Sequence, residues 1–106
     1  MGRYEPDVLP KSVAYDLVAV KRRRIVVSVL LDLADEVPLV DLATQVAARE
    51  DGVAESAVTE ETHRAVAVSL RHHHLPTLDD ASVVEFDSER NTVVSNDSLD
   101  DLEPLV

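Results

Sequence analysis

The chain has 106 residues and a formal net charge of −11, from 21 Asp and Glu against 10 Lys and Arg. That length accommodates one domain, able to bury about two-thirds of the surface its unfolded chain exposes. The absence of cysteine excludes a disulfide framework, thiolate catalysis and a Cys-based zinc site, and two glycines are too few for a Rossmann or P-loop turn.

Aromatic residues make up only 3% of the chain, so a core must be assembled from Val, Leu and Ala. Lysine is confined to Lys11 and Lys21 while the acids run throughout, a balance expected of a protein adapted to molar salt inside the cell. The alternative is an ordinary acidic domain with an unfolded tail. No segment approaches the roughly 18 apolar residues of a membrane span, so the expected setting is soluble and cytoplasmic.

Residues 1–11 read as an irregular arm because of Pro6 and Pro10. Ser12 can cap a short helix with Val13, Leu17 and Val20 on one side, able to pack on the domain or pair with a second copy. Lys21 to Arg24, the only basic run, leads into IVVSVLLDLADE, where Val26, Val29, Leu30 and Leu33 recur at helical spacing. Its β-branched residues leave a strand open, but about 14 unbroken residues exceed the usual strand length.

Val37-Pro38-Leu39 is an extended piece, since Pro38 disfavours helix at the residue before it. A second amphipathic helix follows, with Leu42, Ala43, Val46 and Ala47 on one stripe and Gly52 placed to end it. After a turn over 53–58, Thr59 offers a capping hydroxyl to a third helix running to Leu78, with Glu60 and Glu61 at the positive end of its dipole. Pro76 should kink or restart that helix by removing the bond to the His72 carbonyl, which an imidazole nearby could satisfy.

Beyond Leu78, Val83, Val84 and Phe86, the SERN turn, and Thr92, Val93 and Val94 read as a β-hairpin. Residues 96–106 carry four acids and read as an acidic tail or one frayed helical turn. The expected fold is therefore mainly α with a small β-hairpin wing (α+β), a winged helix-turn-helix domain over 12–95.

Three segments, KRRRIVVSVLLD, VDLATQVAAREDGV and VSLRHHHLPTLDDASVVEFD, carry a resemblance that covers roughly Val20 to Val94. The chain resembles the winged-helix domain of uncharacterised haloarchaeal proteins, a family of unknown function. The most specific part is the spacing of His72, His74, Leu75, Pro76, Leu78, Asp80 and Ala81. Where the family typically has glycine after that alanine, this chain has Ser82, which must either accept a left-handed backbone at about 1 kcal/mol or change the approach into the wing. The resemblance implies a cytoplasmic, archaeal, transcription-regulator-type protein and supplies no target, effector or functional residues.

All four histidines, His63 and His72 to His74, lie in the third helix. On a helix His72 and His74 project about 200° apart, and His63 and His74 lie roughly 16 Å apart along the axis, so a metal site is not expected. Adjacent acids such as Asp79-Asp80 read as solvated charge, and neither catalysis, a cofactor nor a small-molecule substrate is expected.

The expected function is that of a DNA-binding transcription regulator of a halophilic archaeon, reading DNA with the helix near 59–75 and a wing near 83–95. Arg64, Ser69, Arg71, His72 and His73 on the helix are the candidate contacts, with Lys21, Arg22, Arg23 and Arg24 near the start of the first core helix. That basic run can equally be a solvated helix start. The alternative function is a protein-interaction or dimerisation module, favoured by the acids Glu85, Asp87 and Glu89 of the wing.

Overall fold

A computed structural model describes residues 9–33 and 36–106 of the chain. In order they form α1 (Lys11–Ala19), α2 (Lys21–Asp32), β1 (Glu36–Pro38), α3 (Leu39–Asp51), α4 (Glu60–Ser69), α5 (Leu75–Asp80), β2 (Val84–Asp87) and β3 (Thr92–Ser95). Short 3₁₀ segments lie at Glu55–Ala57 and Asp97–Leu105, and a π turn at Leu70–His74 joins α4 to α5. The structure is mainly helical with one small antiparallel sheet of order β1-β3-β2. None of the described helices is long and apolar enough to cross a membrane.

The interior is built as composition requires: every buried hydrophobic residue among those described is Ala, Val or Leu. Val26, Val27, Val29 and Leu30 of α2 meet Leu42, Ala43, Val46 and Ala47 of α3, while Val66, Leu70, Leu75 and Leu78 close the core from the α4–α5 side. Packing of that apolar face lets the β-branched residues of α2 sit in a helix, and the strand alternative for this segment falls.

The arm over residues 1–8 lies outside the described residues. Helix α1 starts at Lys11, behind Pro10 and without a side-chain cap, so Ser12 stands inside the helix and is not its cap. Val20, expected on the apolar side of α1, is an exposed extended residue between α1 and α2; Ala14, Leu17 and Val18 are the buried ones.

Two helix ends are set by local chemistry. Gly52 ends α3 at φ 66°, and the Val53 amide donates to the Ala48 carbonyl at 3.0 Å. Thr59 caps α4 by accepting from the Thr62 amide at 3.1 Å.

Pro76 disturbs the third helix as expected: regular α-helix restarts at Leu75, with Pro76 in its first turn. The helix widens into the π turn one turn earlier, with the Leu75 amide bonded to the Leu70 carbonyl. Widening moves carbonyls away from the proline ring and keeps Leu70, His74, Leu75 and Leu78 buried. The hydroxyl of Thr77 serves the neighbouring His73 carbonyl at 2.8 Å.

The end of α5 shows how Ser82 resolves its conflict. It takes φ 64°, while its amide donates to Asp79 and the Val83 amide to Leu78, completing a left-handed helix stop. The serine accepts the strain, and its carbonyl is held by Asn96 Nδ2 at 3.0 Å and Ser98 Oγ at 2.8 Å.

The segment after β3 departs from the expected solvated tail. Asp97–Leu105 turns back onto α1 and α2 and buries Leu99 and Leu102 in the core, with its acids on the outside. Asp101 also accepts from the Leu9 amide at 3.1 Å, fastening the two ends of the described chain.

Candidate nucleic-acid interface

Helix α4 presents two distinct sides. On one, His63, Ala67 and Arg71, one turn apart, look toward the hairpin; the His63 imidazole Nε2 lies 3.0 Å from the Val40 carbonyl oxygen. Pro38, Leu39, Val40, His63, Ala67, Arg90 and Asn91 line a shallow groove between α3, α4 and the hairpin tip. On the other side Arg64, Ala65, Val68 and His72 are exposed, with Val68 at 52%. From Thr62 to Leu78 the chain has no acid.

Sequence reasoning named nine contact residues, and the structure gives them unlike positions. Arg64, His72 and His73 are exposed, and Ser69 is half-buried. Arg71 is half-buried and turned onto the hairpin loop: one terminal nitrogen donates to the Asn91 side-chain oxygen, the other to the Ser88 carbonyl at 3.3 Å.

In the basic run, Lys21 and Arg24 are exposed, but Arg22 and Arg23 are engaged within the fold. Arg22 makes a two-point pair with Glu50, one bond at 2.8 Å, and that carboxylate holds its guanidinium above its ordinary pKa. Arg23 is only 8% exposed and donates to the carbonyls of Leu17, at 2.7 Å, and Asp16, at 3.1 Å. Those carbonyls end α1 without helical partners, so Arg23 serves as its C-terminal cap.

His74 is 5% exposed, and its Nδ1 is buried without a hydrogen-bond partner among the described residues. Burial pushes its pKa down to about 4 from the ordinary 6.5, helped by His73, Arg23 and Arg22 and opposed by Glu50. The imidazole is thus neutral near pH 7, and the start of α2 lies close enough to the π turn for its charges to be felt there. The ring stacks edge-on against His73 at 4.7 Å between centroids.

Arg90 is a residue that sequence reasoning passed over. It is exposed at the tip of the hairpin, in the loop Ser88–Asn91, and lines the groove beside His63 and Ala67. Its position in SERN was readable as a turn; its nearness to α4 was not, because that depends on how the hairpin folds back. The loop is stiffened by Asp87 Oδ1, which accepts from the amides of Glu89 and Arg90 at 3.0 Å each. Asn91 closes it at φ 54°.

The sheet gives the hairpin its direction. Val93 pairs with Val37 on one side and Phe86 on the other, so these three face inward, while Glu36, Val94 and Glu85 form an outward row. The outer edge of β2 is covered where the Phe86 amide donates to Asp79 of α5 at 2.8 Å.

Fold and surface together define a small helical domain that offers one helix and an adjoining hairpin. Over residues 15–94 the chain matches the family described as a domain of unknown function (DUF7344), and it belongs to that family. No curated protein and no solved structure matches it significantly.

Proposed function

We infer that the chain is a winged helix-turn-helix domain that binds duplex DNA as a transcription regulator in a salt-rich cytoplasm, with α4 as recognition helix and the β2–β3 hairpin as wing. The helix–strand–helix–helix–hairpin order of α2, β1, α3, α4 and β2–β3, with β3 central in the sheet, supports that fold. One observation carries the function: beyond the first turn of α4 the exposed side, with Arg64 and then His72 of the π turn, is free of acids in a chain of net charge −11.

A helix of this kind fits the roughly 12 Å width of the DNA major groove. Arg64 suits the O6 and N7 acceptors of guanine, Ala65 and Val68 suit a thymine methyl, and His72 with Arg90 suits flanking phosphates. The acids of the wing oppose DNA in dilute buffer. In molar salt, where the Debye length is about 3 Å, that repulsion is screened and contact geometry decides.

A protein partner is the second reading, favoured by the exposure of Val68 and Val40 beside an acidic hairpin. Fluorescence anisotropy with short genomic duplexes in molar potassium chloride separates the two. Saturable, sequence-dependent binding supports the DNA reading; none, together with a stable complex with another protein, retires it. Stability should also rise from dilute buffer to molar salt, as self-repulsion is screened, and equal melting temperatures in both would remove the high-salt part of the reading.

A further inference from the structure

We propose that Arg71 is a positioning residue, a latch that holds the hairpin tip, and with it Arg90, at a fixed offset from α4 so that helix and wing meet DNA as one body. The proposal rests on the DNA reading above and assigns Arg71 a role other than reading bases. Three elements converge on Asn91. Its side-chain oxygen accepts from Arg71 of the π turn that continues α4, its carbonyl accepts from the Leu39 amide of α3 at 2.8 Å, and its own left-handed backbone closes the hairpin.

Arg71 also reaches across the loop to the Ser88 carbonyl, so a single guanidinium bridges both ends of the four-residue turn. Its planar fork can hold two acceptors at once, which a lysine ammonium at the end of a flexible stem does less well. Between the two anchored residues, Asp87 fixes the amides of Glu89 and Arg90. The backbone at Arg90 is thereby held while its side chain stays exposed.

The chemistry of the partners matters as much as their placement. Arg22 and Arg49 are paired with the carboxylates of Glu50 and Asp32, which cancel their charge. The acceptors of Arg71 are an amide oxygen and a peptide carbonyl, both neutral. The junction of helix and hairpin thus keeps the positive charge of Arg71 beside that of Arg90, a local exception on a hairpin that also carries Glu85, Asp87 and Glu89. The charge of Arg71, held on residues flanking Arg90 in the loop, adds to the attraction of a phosphate there.

A double-mutant cycle on the full chain, with duplex binding measured in molar potassium chloride, tests the latch. Arg90→Ala should weaken binding by about fivefold in the parent and by less than about twofold when Arg71→Ala is already present, because an unlatched tip no longer holds Arg90 in place. Arg71→Lys should restore part of the coupling. Without DNA, Arg71→Ala should speed amide hydrogen exchange at Glu89 and Arg90 and leave the α4 amides near Val66 unchanged.

Equal Arg90→Ala penalties in both backgrounds, or loop exchange indifferent to Arg71→Ala, would overturn the proposal. Failure of the parent to bind any duplex would overturn the DNA reading and the use made of Arg90, while the exchange result would still decide whether Arg71 latches the tip.

Discussion

Two stretches of this acidic chain carry arginine without an acid, the basic run Lys21–Arg24 and the longer Thr62–Leu78, and the fold uses their arginines differently. In the first, Arg22 is matched to Glu50 and Arg23 is buried as the cap of α1. In the second, Arg64, His72 and His73 stay exposed and Arg71 is spent on neutral acceptors that leave its charge intact. A run of cations is thus a poor guide to a binding surface. What counts is whether helix ends and carboxylates of the same molecule already occupy it.

The largest effect should come from the stretch read as structural. Arg23→Ala leaves the buried Leu17 carbonyl and the part-buried Asp16 carbonyl of α1 unserved and removes a packed side chain, which should cost about 3 kcal/mol in denaturant unfolding at fixed high salt. A loss below about 0.5 kcal/mol would show that Arg23 is not built into the fold. Arg64→Ala should do the reverse, shifting the melting temperature by no more than a degree or two while weakening sequence-specific DNA binding by about 1 to 3 kcal/mol. A large stability loss with unchanged binding would invert the comparison.

His74 lies where the two regions approach, and pH probes it. Its folded pKa, about 4, is below the ordinary 6.5, so the folded state binds fewer protons between those values. Its contribution is complete above about pH 6.5 and is lost as pH falls toward 4. From pH 7 to 5 the parent should lose on the order of 1 to 2 kcal/mol more than His74→Leu. Identical pH slopes in the two proteins would show that His74 is not held neutral by the fold.

The smallest effect concerns the stop that aims the hairpin. Ser82→Gly relieves a left-handed serine and should stabilise by about 0.5 to 1 kcal/mol, because the bonds to its carbonyl survive the change. Glycine also loosens the unfolded chain, which sets the upper limit of the gain. Destabilisation would mean that the serine side chain itself holds the approach to the hairpin.

Features set by neighbouring residues were readable from sequence. Gly52 ends α3, Thr59 caps α4 and SERN turns the hairpin because each acts within a few residues of its own backbone. The strain at Ser82 was legible through the resemblance, which places glycine at that position. Pro76 announced a disturbance, but its form as a π turn depends on keeping Leu70, His74 and Leu75 in the core. Features set by distant partners were hidden: Arg23 meets the end of a separate helix, Arg71 a loop about twenty residues later, and Leu99 and Leu102 a core built from α1 and α2. The acids that made the C-terminal segment look solvated occupy its outer side and say nothing of its leucines.

The most direct test of the central claim is selection of duplexes from a random DNA pool by the parent chain and by Arg64→Ala in molar potassium chloride. The parent should enrich one defined motif, and Arg64→Ala should relax preference at a single guanine within it. Enrichment of no motif by a folded parent, or the same motif enriched equally by both proteins, would contradict the assignment of α4 as the reading helix.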